Sequence, residues 1–174
     1  EFANAKNNYL VPDNFQEDPP RGIAYRSSPT NIGLGLLASI SGRDMGYIGI
    51  KETVESISKT VSTIEKMEKW NGHLYNWYDT RTLKTLRPAY ISAVDSGNLI
   101  GCLIAVRAAL REMNEQGADR LEDRLTNIIN AMNLKPLYDE KRKLFYIGWD
   151  ADKDEAYQTL YHVLLTFCKL ACPF

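Results

Sequence analysis

Apolar residues recur along this chain at helical spacing in several blocks, separated by stretches where the period is lost. Val54, Ile57, Val61, Ile64 and Met67 fall three or four apart and predict an amphipathic helix over roughly residues 50–68. Before it, Ser28 offers a capping hydroxyl and Pro29 a residue pre-set for a first helical turn, so a helix is expected from there to about Arg43. A third helix carries Leu99, Leu103, Val106 or Ala109, Leu110 and Met113 on its inner face, with Asp95 or Ser96 as its cap. A fourth follows Gly117 with Leu121, Leu125, Ile128, Ile129 and Met132, and closes before Pro136. From about Asp154 a fifth is expected, with Tyr157, Leu160, Tyr161, Leu164 and Leu165 inward. Only "LYDEKRKLFYIGW" switches to a shorter period, and it predicts one small β-hairpin near 136–148. The expected class is therefore all-α, built of α/α helical hairpins.

Two long stretches interrupt the helices, and long irregular loops in a compact domain usually have a task. The first, residues 10–29, presents Asp13, Asn14, Gln16, Glu17, Asp18 and Arg26; the second, 70–95, presents His73, Tyr75, Trp77, Tyr78, Asp79, Arg81 and Asp95. Aromatic faces beside carboxylates and amides suit a sugar, whose C–H faces stack on rings while its hydroxyls need donors and acceptors. Glycoside chemistry needs two carboxyl groups flanking the scissile bond, and Glu17, Asp18, Asp79 and Asp95 are the candidates. A plainer reading stands beside this one, with Asp95 as a helix cap, Asp18 as a turn residue before Pro19, and Trp77 as a core plug.

A formal charge of −1 offers no basic field for a phosphate backbone, so nucleic acid is not an expected partner. The three cysteines, Cys102, Cys168 and Cys172, are an odd count in a chain of this size and point to a reducing, cytoplasmic setting. Cys168 and Cys172 with His162 lack a fourth ligand, and the glycines of "IGLGLL" lie inside a predicted helix, where they permit close packing rather than phosphate binding. No metal and no cofactor are expected.

"VPDNFQEDPPRGIAYRSSPTNIGLGLLASISGRDMGYIG", "NGHLYNWYDTRTLKTLRPAYISAVDSGNLIGCL" and "LYDEKRKLFYIGWD" closely resemble the middle, glucoamylase-like region of bacterial cyclic β-1,2-glucan synthases, over roughly residues 10–150. The resemblance implies a parent protein anchored in the inner membrane, with a UDP-glucose-dependent glycosyltransferase region and a phosphorylase-like region as neighbouring domains. It implies an (α/α)6 toroid that acts on β-1,2-glucan by hydrolysis or by a cyclising transglycosylation. It also implies that Asp13–Pro20 and Asn76–Thr82 face the glucan together with Arg26, Thr30, Asp95, Ser96 and Asn98. A full toroid has twelve helices and this chain offers about five, so residues 3–150 read as a partial domain, with 151–174 a C-terminal helix that departs from the family's pattern. Part of a toroid leaves apolar helix faces uncovered, and self-association through the first, third or fifth helix is expected. A carbohydrate-binding or interdomain scaffold piece that breaks no bonds is the alternative.

Overall fold

Ser28 starts the first long helix as its sequence suggests: its Oγ accepts a hydrogen bond from the Asn31 amide at 3.2 Å, and Pro29 occupies the first turn. In the computed structural model, which describes residues 2–113, 115–157 and 160–161, this helix, α1, runs Pro29–Asp44. It is followed by α2 at Ile50–Lys66, α3 at Ala93–Met113 and α4 at Ala118–Ala131. Around them the described residues form ten strands: β1 Phe15–Gln16, β2 Gly22–Ile23, β3 Arg26–Ser27, β4 Asn76–Asp79, β5 Thr85–Ser92, β6 Tyr138–Asp139, β7 Leu144–Tyr146, β8 Gly148–Asp150, β9 Glu155–Ala156 and β10 Leu160–Tyr161.

The expectation of an all-α protein with a single hairpin is therefore wrong. The described residues form three antiparallel sheets: a β1–β2 hairpin, a three-stranded sheet in the order β10-β7-β6, and a five-stranded sheet in the order β3-β4-β5-β8-β9. Residues 70–95, expected as a long loop, supply the two central neighbours of the largest sheet, with Tyr78 opposite Thr85 and Asn76 opposite Tyr90. The 136–148 hairpin is present, with Tyr138 opposite Phe145. The fifth helix is not present where it can be seen, because Glu155–Ala156 and Leu160–Tyr161 are strands. The remainder of that expectation, with His162, Cys168 and Cys172, lies outside the described residues.

The helices form two layers. α1 packs along α3, α2 covers α1, α4 covers α3, and α2 touches α4. Close approach of α1 to α3 depends on Gly33, since a Cβ there would lie 2.9 Å from Cys102 Cβ. The glycines of "IGLGLL" thus serve packing. Ile32, Leu36, Leu99, Leu103, Val106 and Leu110 fill this interface, and Ile57, Val61, Leu121 and Leu125 close it from the outer helices, all at most 2% exposed. α2 and α4 are two-faced, as surface helices are. α3 is apolar enough in length and composition to span a bilayer, but here it is the central core helix.

The N-terminal segment is strapped onto α2 by the hydroxyls of Thr60 and Thr63, which donate to the Tyr9 and Asn8 carbonyls at 3.1 and 2.7 Å. This fixes Leu10 in the core, and the chain beyond it meets α1, with Val11 against Gly35 and Asp13 bonded to Asn31. The largest sheet joins α3, because β5 runs directly into it. Neither Asp95 nor Ser96 caps α3. Ser92 does, its Oγ accepting from the Asp95 amide at 3.1 Å, and the last strand residue doubles as the helix cap.

Candidate functional site

The N-terminal ends of α1 and α3 are tied together by Asn98 Nδ2, which donates to Thr30 Oγ1 at 3.1 Å. Over them lies a polar cluster contributed by β3, β4 and the preceding segment. Asp13 is its hub. One carboxylate oxygen accepts from Arg26 Nε and Nη2 at 3.1 and 2.9 Å and from Asn14 at 3.2 Å; the other accepts from Asn31 of α1 at 3.2 Å. Arg26 in turn lays its guanidinium 4.7 Å from the centre of the half-buried Trp77 ring. β3 pairs with β4, so Arg26 stands opposite Asp79 and Ser27 opposite Tyr78. Asp13, Asn14, Arg26 and Trp77 are thus brought together from both loops, through ladder pairing that sequence inspection did not foresee, while Thr30 and Asn98 join α1 to α3.

The acidic candidates separate by what they touch. Asp79 is occupied with its own turn: Oδ1 accepts from the amides of Arg81 and Thr82 at 2.9 and 3.0 Å, and Oδ2 from Arg81 Nη2 at 3.0 Å. Burial acts to raise its pKa, but these bonds outweigh it and hold the carboxyl below the usual aspartate value. Arg81 itself lies over the Tyr25 ring at 4.6 Å. Glu17 and Asp18, with Gln16 at the end of β1, sit on the solvent-facing β1–β2 hairpin, and both carboxylates are exposed. Asp95 is different again. It is half-buried in the first turn of α3, and its carboxylate accepts no hydrogen bond from any described residue. An acidic side chain there complements the helix macrodipole and remains open to a ligand.

Three aromatic candidates do not share one role. Tyr78 is fully buried; its hydroxyl accepts from the Tyr75 amide at 2.9 Å and donates to the Glu68 carbonyl at 2.5 Å, and burial drives its phenol far above the ordinary value. Tyr75 is 7% exposed and meets Tyr78 edge to face at 6.2 Å. Both are core residues that brace β4 from below. Of the three, Trp77 alone reaches the surface. Asn76 is buried beside it, and its Oδ1 has no hydrogen-bond partner among the described residues.

Ser96 is also buried, one turn into α3, where its hydroxyl meets His73 Nδ1 at 2.9 Å. His73 Nε2 lies 2.9 Å from the Asn133 carbonyl, which can only accept; the ring therefore carries its proton on Nε2 and takes the Ser96 hydroxyl proton at Nδ1. Burial lowers the His73 pKa, with the carbonyl pulling in the opposite direction, so the neutral ring is the native form. The sign follows directly: the unfolded chain takes up a proton near pH 6.5 before the folded one does, and stability present above that pH is lost as pH falls towards the lower folded value. Urea midpoints are expected to drop for the native chain between pH 7.5 and 5.5, and His73→Gln should flatten that dependence. An equal drop in both would remove His73 as the cause. Asp79, whose folded pKa is also depressed, loses its contribution only near and below pH 4 and does not share this window.

No family model matches the chain. Solved structures do match, at identities that show the fold alone. An endo-β-1,2-glucanase from Chitinophaga pinensis, solved with sophorotriose and glucose, superposes with a TM-score of 0.74 at 20% identity over 84% of this chain and 36% of that one. A β-1,2-glucanase from Parabacteroides distasonis superposes with a TM-score of 0.72 at 21% identity, over 85% of this chain and 21% of that one. The chain thus has part of the fold of these glucoamylase-like structures. Among curated proteins, the chain is 48% identical over 127 residues to the cyclic β-(1,2)-glucan synthase NdvB of Rhizobium meliloti (strain 1021). That alignment takes in 73% of this chain and 4% of NdvB, so the resemblance read from the motifs holds, and the chain spans a small part of the relative it matches.

Proposed function

We propose that this chain is a segment of a domain that processes β-1,2-glucan by glycoside hydrolysis or transglycosylation, as part of a larger glucan synthase. The observation that carries the proposal is the Asp13–Arg26–Trp77 cluster at the start of α1, together with the uncommitted carboxylate of Asp95 in the first turn of α3, the helix that Asn98 ties to Thr30 of α1. The similarity to NdvB and the fold shared with β-1,2-glucanases supply the substrate class. In this reading Asp95 is the carboxylate that acts on the glycosidic bond, and Glu17 or Asp18, on the neighbouring hairpin, is its partner across it. Trp77 and Arg26 hold a sugar ring, Asp13 fixes Arg26, and Asp79 is withdrawn from chemistry by its turn.

Mass spectrometry of linear β-1,2-glucan incubated with the chain tests this. Shorter or cyclic products are expected, falling by about 10²-fold or more in Asp95→Asn and persisting in Asp79→Asn if the latter stays folded. Unaltered chain lengths with the native protein would sink the enzymatic reading. Protection of glucan without cleavage would favour the binding-module alternative, for which the engagement of Asp13 and Asp79 in structural hydrogen bonds already speaks.

A further inference from the structure

A groove of about 400 Å³ runs along β4 and β5, on ground the acidic cluster does not occupy. Asn76 and Trp77 form one side; Leu86, Pro88 and Tyr90 of β5 form another, and Tyr157, just past β9, closes it. The rings are held rather than free. Tyr90 donates its hydroxyl to the Ile147 carbonyl at 2.9 Å, and Tyr157 meets the Tyr90 ring edge to face at 5.2 Å while its hydroxyl lies 3.4 Å from Asp150 Oδ2. Arg87, the one cation among the described residues of the rim, is paired with Asp152. The groove is accordingly uncharged in effect, walled by flat apolar faces, with a single amide at its base.

That amide is the second observation. Asn76 is only 8% exposed and its Oδ1 finds no partner among the described residues, a costly condition that a ligand would relieve. Flat C–H-binding walls, an amide and no net charge match a neutral sugar ring better than an ionic ligand. Resting on the glucan reading above, we propose that this groove is a glucosyl-binding subsite that holds a ring of the chain away from the bond acted on. Tyr157 and Pro88 are its stacking faces and Asn76 its hydrogen-bonding group. Trp77 belongs to both places, so it couples the subsite to the Arg26 cluster.

Calorimetric titration with a β-1,2-linked glucotriose tests the subsite without requiring turnover. Tyr157→Ala, at an exposed rim position, is expected to weaken binding about tenfold, and Asn76→Ala similarly, while Tyr47→Ala on the α1–α2 turn leaves it unchanged. Circular dichroism melts of each variant separate lost binding from lost folding, and Tyr157→Phe should keep most of the affinity. Unchanged affinity in a folded Tyr157→Ala overturns the subsite and leaves the glucan reading standing. Equal binding of a β-1,4 or α-1,4 glucotriose, still lost in Tyr157→Ala, keeps the subsite and removes the β-1,2 reading. No binding of any of the three sugars overturns the subsite, and the product analysis above then decides the glucan reading by itself.

Discussion

Tyr78→Ala is expected to lower stability by about 3–5 kcal/mol, whereas Trp77→Ala, one residue earlier, should cost far less and act on sugar binding. Tyr78 is buried at 0% exposure and joins β4 to the end of α2 by donating to the Glu68 carbonyl and accepting from the Tyr75 amide. Truncation leaves a cavity and also strands both backbone groups, so transfer, cavity and hydrogen-bond losses add. Trp77 is only partly buried in the same strand, and it faces the Arg26 guanidinium and the groove. Urea denaturation of both variants, read beside glucotriose titration, gives the comparison. Similar stability losses in the two would show that Trp77 is a core plug, the plainer reading of that residue.

This pair also shows where sequence reading stopped. "YNWYD" offers aromatic and polar residues at every position, and nothing in the list of residue types says which ring faces inward. A strand assignment would have answered part of it, because alternation separates the buried Tyr78 from its partly exposed neighbours Trp77 and Asp79. That assignment was hidden by Pro88, which weakens the case for a strand in "TLRPAYIS", and by strands of two to four residues elsewhere, too short to show a period. Long helices were legible for the opposite reason: α2 and α4 repeat their apolar stripe over four turns or nearly so, and Ser28-Pro29 marks a start by chemistry alone. The family resemblance was legible because it rests on ordered residues rather than on periodicity, and it survived the error in fold class.

The candidate site was half legible. Both stretches singled out do meet, yet the contacts that join them are ladder pairs and side-chain stacking between residues far apart in sequence, such as Arg26 with Trp77 and Arg81 with Tyr25. Residue type alone ranked Asp79 with Asp95. Only their partners separate them, since one carboxylate closes a turn and the other closes nothing. Tyr90 and Tyr157 were missed as site residues because the first was read inside a loop and the second inside a helix; a sheet that pairs β5 with β8 and β8 with β9 is what brings them to one groove.

Gly72→Ala is expected to be the most damaging single-methyl change in the chain, with a loss on the order of 4 kcal/mol or more and a Tm lower by upwards of about 10 °C. Asn71 and Gly72 both have positive φ, 47° and 83°, in a turn whose ends exchange hydrogen bonds between Trp70 and His73 at 3.0 and 2.8 Å. Asn-Gly is the dipeptide such a turn favours, and this signal stood in the sequence unread. Conformation is the smaller half of the problem. A Cβ on Gly72 would fall 1.9 Å from the Ala131 carbonyl oxygen and 2.8 Å from the Met132 amide, so the backbone ending α4 would have to move. The Asn133 amide donates to Asn71 at 3.0 Å and the Asn133 carbonyl accepts from His73, so that movement would also shift His73, and with it Ser96 beneath Asp95. Asn71→Ala disturbs the turn without that collision and should cost no more than about 1–2 kcal/mol. Chemical denaturation of the two variants discriminates, and equal losses would mean that turn geometry, not the close approach of α4, sets the requirement for glycine.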